Sequence, residues 1–329
     1  MPKIKAVSHP NLALIKYWGK RDEKLFLPYN SSLSVILDAF FTKVEIDFSL
    51  KNEDEIFLRE GKKIKKLEGK KKKKVVRFLD IVRENFKKNV YFKIISFSNF
   101  PQGAGVASSA SFFSALSVAI NKILNLNLSQ KELSILSRQG SGSSCRSICE
   151  GFVLWHKGKR KDGKDSFAET LFPKDWWKDF RVITLIFSLK EKKIPSREGM
   201  RICVRTSPFF KLWPKSAEKD LKEMIEGLRK KDIEIVGEIA ERNALKMHAL
   251  CLSSNPPIFY FSSKTLKMIE FIKKMREKNI KVYFTLDAGE SLHLLSEKKF
   301  LKKILNEISK KRFVKKIFVS KPGEGAKIL

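Results

Sequence analysis

The chain has 329 residues, 43% of them apolar, which is enough to bury a packed core in one large domain or two medium-sized ones. It carries 68 Lys and Arg against 36 Asp and Glu, a formal net charge of +32. Because the lysines are scattered over nearly every predicted helix and not gathered into one stripe, composition favours a solvated basic surface over a nucleic-acid-binding protein.

The positions of the cysteines and histidines indicate whether disulfide bonds or a metal site are expected. Cys145, Cys149, Cys203 and Cys251 form no C-x-x-C pair, so we expect reduced thiols in a cytoplasmic protein. The histidines lie far apart without metal-ligand spacing, and we expect no dedicated metal site. The beginning of the chain holds a short apolar patch broken by Lys16, and no uncharged run approaches the ~18 residues of a membrane span. We therefore expect neither a signal peptide nor a transmembrane helix.

The first half of the chain alternates between strand and helix patterns. Enrichment in β-branched and aromatic residues predicts strands at 43–50 and 89–98. Further strands are predicted at 11–15, 151–156 and 181–188. Helical spacing of apolar residues predicts helices at 70–86, 108–124 and 129–138. Ser129 and Glu132 form a capping box at the start of the last one.

Beyond about residue 190 the pattern changes to longer helices. They are predicted at 197–207, 216–230, 233–250, 264–278 and 297–311, with strands at 281–289 and 312–320. The sequence therefore predicts an α+β protein of two halves, residues 1–188 and 189–329. Active sites commonly lie between such halves.

Residues 101–111, PQGAGVASSAS, follow a predicted strand and lead directly into a helix. Gly103 and Gly105 permit close backbone approach, and the helix N-terminus offers free N–H groups, so this segment predicts an anion cradle. It is not a Walker A loop, because the G-x-x-x-x-G-K-[ST] pattern is absent. An ordinary strand–loop–helix turn with a serine cap is the alternative.

Residues 138–147, RQGSGSSCRS, place glycines and serines next to Arg146, whose guanidinium can bind a carboxylate through two hydrogen bonds. A flexible linker is the alternative, but a helix pattern precedes the segment and a hydrophobic strand follows it closely. We therefore expect this segment to contact a phosphate or a carboxylate.

Two further residues point to a site. Lys16 interrupts an otherwise apolar strand, and a buried lysine needs an anionic partner, unless it snorkels from a strand edge. Asp287 ends a predicted strand before Ala-Gly, where it could act as a base towards a substrate hydroxyl or simply cap a turn.

In combination these segments closely resemble the diphosphomevalonate decarboxylases, of the galactokinase/homoserine kinase/mevalonate kinase/phosphomevalonate kinase superfamily. The resemblance runs from about Lys5 to Gly289 and is carried, in chain order, by NLALIKYWGKRD, LPYNSSLSVIL, PQGAGVASSAS, RQGSGSSCRS, GFVLW, DWWKDFRV, SREGM, TSPFF and TLDAGE. Its most diagnostic parts are NxAxIKYWGK and GSGSxCRS, because the Gly/Ser loop is common to the whole superfamily.

The resemblance implies a reaction and roles for four residues. These enzymes use ATP and Mg²⁺ to convert 5-diphosphomevalonate to isopentenyl diphosphate, releasing CO₂, phosphate and ADP. Asp287 would orient or deprotonate the C3 hydroxyl, and Lys16 would offset negative charge beside it. Arg146 would hold the C1 carboxylate, with Asn11 positioning the guanidinium.

The resemblance also implies binding positions. Those for substrate are Tyr17, Trp18, Gly19, Lys20, Lys71, Ser141, Gly142, Ser143, Ser144, Cys145, Arg146, Ser196 and Arg197. Lys71 is the best-aligned lysine of the repetitive run 70–74. Those for the ATP phosphates are Pro101, Gly103, Ala104, Gly105, Ala107, Ser108 and Ser109.

The implied fold is an N-terminal half like the ribosomal S5 domain 2 fold and a ferredoxin-like C-terminal half, commonly in a homodimer. Three positions depart from the family pattern. Glu290 and Ser291 stand where Pro-Asn usually follows Asp-Ala-Gly, Glu150 replaces a glycine, and Val106 replaces a leucine.

The nearest alternatives are a phosphomevalonate decarboxylase and a mevalonate 3-kinase of the same family. Retention of Lys16 and Asp287 favours full decarboxylation, while Tyr17, Lys20 and the Ser196-Arg197 pair favour a substrate with two phosphates. The alternative from another class is a basic protein that binds RNA or a membrane surface and has kept a kinase-like fold.

Overall fold

Within residues 3–100, 108–189 and 192–329, which a computed structural model describes, helices and strands are mixed along the chain. The α+β prediction is confirmed, and each predicted helix is present with its ends shifted by three residues or fewer. The helices are α1 (Gly69–Phe86), α2 (Ser108–Ile123), α3 (Gln130–Gly140), α4 (Ser196–Thr206), α5 (Trp213–Lys230), α6 (Ile233–Leu252), α7 (Ser263–Glu277) and α8 (Lys298–Ser309).

The strands form three larger sheets and one short ribbon. They are β1 (Ile4–Ser8), β2 (Asn11–Ile15), β3 (Lys20–Asp22), β4 (Leu27–Pro28), β5 (Ser32–Ile36), β6 (Thr42–Phe48), β7 (Glu55–Glu60), β8 (Lys63–Lys66), β9 (Phe92–Ser98), β10 (Phe152–Trp155), β11 (Ala168–Phe172), β12 (Phe180–Ile186), β13 (Val282–Leu286), β14 (Leu292–Glu297), β15 (Lys316–Ser320) and β16 (Lys327–Ile328). Their orders in the sheets are β16-β1-β6-β9-β7-β8, β11-β10-β5-β2, β13-β14-β12-β15 and β3-β4.

Helices α1, α2 and α3 cover the six-stranded sheet. On α1 the buried residues Val75, Phe78, Leu79 and Val82 recur at helical spacing and pack against apolar side chains of β6 and β9. At the start of α3 the predicted capping box is confirmed, because the Ser129 hydroxyl accepts from the backbone of Glu132 and the Glu132 carboxylate accepts from that of Ser129. These helices bring the beginning of α2 and the end of α3 to one side of the sheet.

Helix α6 joins the two halves of the molecule. One cluster contains Leu12 and Ile15 of β2, Val236 and Ala240 of α6, and Tyr283 of β13. Because α6 packs on both strands, the residues that follow β2 and β13 are brought to the same region. The opposite face of the C-terminal sheet is covered by α7 and α8.

The end of the chain returns to the N-terminal half. Strand β16 pairs with β1, and Pro322 forms a bridge with Leu37. Strand β12, which precedes the division predicted at residues 188 and 189, pairs with β14 and β15. That division itself stays a prediction. None of the helices in the described ranges is long and apolar enough to cross a lipid bilayer.

The close contact between α6 and β13 depends on Gly237. A Cβ atom at this position would lie 2.0 Å from the ring of Tyr283. Alanine is favoured over glycine in a helix by about 1 kcal/mol, so a Gly237→Ala protein would be more stable if space were available. We expect the opposite, a loss of about 1–3 kcal/mol in the free energy of unfolding, because overpacking forces α6 away from the sheet. Urea denaturation measures this loss.

Two variants test the cause of that loss. Adding Tyr283→Leu to Gly237→Ala removes the clashing ring and should recover part of the stability. Gly61→Ala, at a position with φ +60° and no atom within 4 Å of the added Cβ, should lose only about 1 kcal/mol from backbone strain. Equal or greater stability of the Gly237→Ala protein would contradict the close packing of α6 on β13.

Candidate active site

A cleft of about 940 Å³ opens where β2, β13 and the beginning of α2 converge. Its size is that of a site for a small-molecule ligand. Among the described residues that line it, basic side chains outnumber acidic ones. The basic residues are Lys16, Lys20, Lys74, Arg146, Lys192, Lys193 and Arg197, and the acidic residues are Asp287 and Glu290. This charge balance suits a ligand with several negative charges.

Lys16 and Asp287 form an ion pair at the centre of the cleft wall. Lys16 follows the last residue of β2, and its Nζ donates to Asp287 Oδ1 at 2.6 Å and to the Ala13 carbonyl oxygen at 2.7 Å. The Lys16 side chain is 2% exposed, whereas that of Asp287 is 28% exposed. The carboxylate can therefore meet a ligand while the ammonium supports it from behind. The predicted anionic partner of Lys16 is thus Asp287.

Burial alone would raise the pKa of the Asp287 carboxyl, but the adjacent Lys16 ammonium, with smaller contributions from His293 and Arg146, holds that pKa below its ordinary value. Burial lowers the pKa of Lys16. His248 and His293, both buried near this pair, have their pKa values lowered to about 4 by burial, and are neutral at physiological pH. Asp287 is therefore ionised at neutral pH.

Arg146 lies in the short 3-10 helix Gly142–Ile148 and is 3% exposed. Its Nε donates to Asn11 Oδ1 at 3.0 Å, and its Nη1 donates to the Ser32 hydroxyl. The Asn11 amide nitrogen donates to Ser147 Oγ at 2.8 Å and to the Ser143 carbonyl oxygen at 3.0 Å, so its oxygen must face Arg146. Among the described residues, no carboxylate forms an ion pair with Arg146. A buried guanidinium without such a partner is suited to an anionic ligand.

A second group of cations surrounds Phe26. Lys20 Nζ lies 5.0 Å from the ring centroid and the Arg197 guanidinium lies 4.7 Å from it. Lys74 of α1 faces the same part of the cleft. Glu23 neutralises one edge of this group, since its carboxylate accepts from Lys20 at 2.8 Å and from Arg201 at 3.2 Å. We call Lys20, Lys74 and Arg197 the polyanion subsite, because their combined charge suits an anion with more than one negative charge.

Glycine at position 142 allows Tyr17 to reach the cleft. A Cβ atom there would lie 2.7 Å from the Tyr17 hydroxyl oxygen. That hydroxyl has no hydrogen-bond partner among the described residues. Burial raises the pKa of Tyr17, so the hydroxyl keeps its proton and can donate to an anion.

Helix α2 points its N-terminus at the cleft. Ser108 and Ser109 line the cleft at the first turn, and the Ser109 hydroxyl lies 3.1 Å from that of Ser141. Free N–H groups and the helix dipole favour an anion at this end. The predicted phosphate-loop residues Pro101, Gly103, Ala104, Gly105 and Ala107, and the departure at Val106, lie outside the described residues.

Most of the predicted site residues come together here. The cleft is lined by Asn11, Lys16, Tyr17, Trp18, Lys20, Ser108, Ser109, Ser141, Gly142, Ser143, Arg146, Ser196, Arg197 and Asp287. Their individual roles stay predictions.

Four predicted substrate-binding positions do not line the cleft. Ser144 donates to backbone carbonyl groups, and the thiol of Cys145 is fully buried with a pKa raised to about 12 by burial. Gly19 has φ +93°, and a Cβ there would lie 2.5 Å from the Phe210 ring, so its role is in the backbone. In the lysine run Lys74 lines the cleft, whereas Lys71 is exposed. The two lie on neighbouring parts of the same helix face, and Lys71 is about 4.5 Å nearer to the N-terminus of α1.

Sequence patterns missed several cleft residues. Lys192, in the segment before α4, lines the cleft and donates to the Ala288 carbonyl oxygen. Ser32, on the buried strand β5, accepts from Arg146 but is not among the residues that line the cleft. The segment 257–261, between α6 and α7, adds aromatic side chains to one wall. The pair Pro256-Pro257 and the three aromatic residues 259–261 were the available signal. Glu290 and Ser291, which depart from the family pattern, both line the cleft beside Asp287.

The donor set fits a magnesium ion carried by phosphates. No group of three or more His, Cys, Asp or Glu side chains in the described ranges is arranged to hold a metal ion. Mg²⁺ commonly binds through substrate phosphates and one or two protein ligands. The hydroxyl groups of Ser108 and Ser109 at the start of α2, and that of Ser141 after α3, suit such a nucleotide-borne ion.

Comparisons with known proteins point to one family. Residues 8–168 match a model described as the diphosphomevalonate decarboxylase-like N-terminal domain, and residues 182–328 match the mevalonate 5-diphosphate decarboxylase C-terminal domain. A diphosphomevalonate decarboxylase of Debaryomyces hansenii is 35% identical over 321 residues, covering 93% of this chain and 82% of that protein.

Solved structures agree with this similarity. A mevalonate diphosphate decarboxylase from Staphylococcus aureus superposes with a TM-score of 0.93 at 36% identity, covering 99% of this chain and 98% of the other. A structure described as MDDEF in complex with MVAPP, AMPPCP and magnesium gives a TM-score of 0.92 at 39% identity, with the same coverage.

The polyanion subsite should bind inorganic pyrophosphate in a way that depends on Lys74. Burial, together with the charges of Arg197 and Lys20, lowers the pKa of Lys74 to about 7. In the protein without ligand, Lys74 is therefore protonated at pH 6 and largely neutral at pH 8. At pH 8, binding of the anion must be accompanied by uptake of a proton by Lys74. We expect the ratio of wild-type to Lys74→Met affinity to fall about tenfold from pH 6 to pH 8.

Titration calorimetry at both pH values measures these affinities, and the ratio cancels the protonation of pyrophosphate itself. Lys71→Met is the matched control, because Lys71 is an exposed lysine on the same helix. Its affinity should equal that of the wild type at both pH values. A constant ratio for Lys74→Met, or a loss on Lys71→Met instead, would contradict the assignment of Lys74 to the subsite.

Proposed function

The chain belongs to the diphosphomevalonate decarboxylase family, and we propose that its cleft carries out the ATP-dependent decarboxylation of (R)-5-diphosphomevalonate. The products are isopentenyl diphosphate, ADP, phosphate and CO₂. The observation that carries the proposal is Arg146, a buried guanidinium without a carboxylate partner among the described residues, which lines the same cleft as the polyanion subsite and the Lys16–Asp287 pair.

Each charged part of this substrate has a counterpart in the cleft. Lys20, Lys74 and Arg197, with the hydroxyls of Ser141, Ser143 and Ser196, would bind the diphosphate. Arg146 would bind the C1 carboxylate, held in orientation by Asn11. The C3 hydroxyl would then meet the exposed side of the Asp287 carboxylate.

The low pKa of Asp287 defines its role. A carboxylate whose pKa is below the ordinary value is a weak base. Asp287 would therefore first orient the C3 hydroxyl by accepting its hydrogen bond. It receives the proton as that hydroxyl becomes acidic during phosphorylation. Lys16 keeps Asp287 ionised until then and offsets negative charge near the reacting oxygen.

ATP with Mg²⁺ supplies the phosphoryl group that turns the tertiary hydroxyl into a good leaving group. Ser108 and Ser109 at the start of α2, with Ser141, would hold the phosphates. When the C3 phosphate leaves, positive character develops at C3, and loss of the carboxylate as CO₂ closes the double bond. Arg146 keeps the carboxylate aligned for this step.

The family's alternatives differ in substrate or outcome. A phosphomevalonate decarboxylase would need fewer cations than surround Phe26, and a mevalonate 3-kinase would stop after phosphorylation. The non-enzymatic alternative, binding of RNA or a membrane surface, would show as salt-sensitive binding without ATP turnover.

Two further expectations accompany the enzymatic proposal. A cytoplasmic location agrees with the four cysteines, which are all free and buried. A homodimer is implied by the resemblance, and sedimentation analysis would test it.

Substrate choice provides the first test of the function. With ATP and Mg²⁺, we expect CO₂ and ADP to form in equal amounts from the 5-diphosphate. Mevalonate and its 5-phosphate should turn over at least about 100-fold less efficiently in kcat/KM, because lost charge-assisted hydrogen bonds each weaken binding by about 1.5–3 kcal/mol. Comparable turnover of the monophosphate would overturn the substrate assignment, and ADP without CO₂ would favour the 3-kinase.

Two isosteric or near-isosteric substitutions separate chemistry from binding. Asp287→Asn keeps the shape of the side chain but removes the basic oxygen, so kcat should fall by about 10²–10⁴-fold with little change in KM. Arg146→Gln should also raise KM, because the substrate carboxylate needs a partner in the ground state. Steady-state kinetics on folded proteins measure both. If Asp287 merely caps a turn, kcat of Asp287→Asn would stay within a few-fold of wild type.

A further inference from the structure

The backbone of Lys16 is held by side chains and not by a sheet. Lys16 lies beyond the end of β2, and its N–H donates to Asn243 Oδ1 on α6 at 2.8 Å. Its carbonyl oxygen accepts from Asn30 Nδ2 at 2.8 Å. Both amides are fully buried, so these two bonds determine where the lysine leaves the strand.

The orientation of Asn243 is determined by Asp220 on α5. Asn243 Nδ2 donates to Asp220 Oδ2 at 2.9 Å. An ionised carboxylate can only accept, so the Asn243 amide must turn its nitrogen to Asp220 and its oxygen to Lys16. Asp220 is 1% exposed and accepts hydrogen bonds from Arg242 and Lys246, whose nitrogens lie 2.8–3.0 Å from its oxygens.

We infer that Asn243, oriented by Asp220, is a positioning residue that sets the Lys16 ammonium against the Asp287 carboxylate. This inference rests on the proposed function of that pair. The contacts lead from Asp220 on α5 to the Asn243 amide on α6, and from that amide to the backbone N–H of Lys16. The Nζ of Lys16 lies 2.6 Å from Asp287 Oδ1. Neither Asn243 nor Asp220 lines the cleft, so neither meets a bound ligand directly. Lys16 is the cleft residue whose backbone Asn243 contacts.

The pKa of Asp287 reports the position of Lys16. The titratable or charged groups that face Asp287 are Lys16 after β2, Arg146 in the 3-10 helix, Lys192 before α4, His248 on α6 and His293 on β14. The two histidines are neutral above about pH 4. Of the cations, Lys16 is the one in hydrogen-bond contact with the carboxylate. If Lys16 moves away, the pKa of Asp287 rises.

This gives a readout that a loss of stability would not mimic. Turnover requires ionised Asp287, so kcat falls as pH decreases through its pKa in the complex. In Asn243→Leu, which has similar volume but neither hydrogen bond, we expect this acid limb to move upward by about one pH unit or more. The Asp287 carboxyl pKa of the free protein, followed by ¹³C NMR of labelled aspartate and identified by its absence in Asp287→Asn, should rise likewise.

Three companion variants make the experiment decisive. Asp220→Asn removes the charge that orients Asn243 and should shift both readouts in the same direction, and it decides the question if Asn243→Leu does not fold. Ile308→Ala, at a fully buried position between α8 and the C-terminal sheet, should lower Tm without shifting either readout. Lys16→Met defines the full shift expected when the ammonium is absent.

The outcomes separate the inference from the function beneath it. If Lys16→Met raises the pKa of Asp287 but Asn243→Leu and Asp220→Asn leave it unchanged, Asn243 is structural only and the inference is overturned while the proposed function stands. If Lys16→Met leaves the pKa of Asp287 unchanged, the role of the ion pair fails and the inference fails with it. Parallel upward shifts in all three variants, with none in Ile308→Ala, support it.

Discussion

A lysine ammonium removed from water must find an anion, and this requirement connects the two halves of the molecule. Lys16 follows a strand near the start of the chain, while its partner Asp287 lies 271 residues later at the end of β13. The pair can form only if β2 and β13 end at the same place. Helix α6 meets that condition, because its apolar residues pack on both strands and a glycine allows close contact with β13.

The same pair governs the electrostatics of the cleft. Desolvation penalises both partners, so a buried ion pair is a poor source of stability. Here it leaves one face of a carboxylate open to ligand while holding that carboxylate ionised. Around this pair, the acidic side chains are too few to neutralise the positive charges of Arg146 and of the cations near Phe26. Such an arrangement favours occupation by an anionic substrate over an empty cleft.

Precision within the site depends on uncharged groups. The oxygen of Asn11 faces Arg146 because its nitrogen is already bound, and Asn243 is oriented towards Lys16 by the same logic. Gly142 leaves space for the Tyr17 ring. Amides and glycines therefore determine the directions in which the charged side chains act.

The sequence by itself determined the helices, seven of the sixteen strands in the described residues, and the family resemblance, which singled out Asn11, Lys16, Arg146 and Asp287 as candidate site residues. These features depend on local periodicity or on short motifs, which one segment of chain contains completely. Strands such as β5 and β14 escaped detection because they are short and contain few of the β-branched and aromatic residues that are typical of strands. The choice of Lys74 over Lys71, the neutral His293 beside Asp287, and the link from Asp220 through Asn243 to Lys16 were decided only by the tertiary structure. Each depends on where a side chain lies relative to a partner far away in sequence, and that is set by packing between elements and not by the residues of either one.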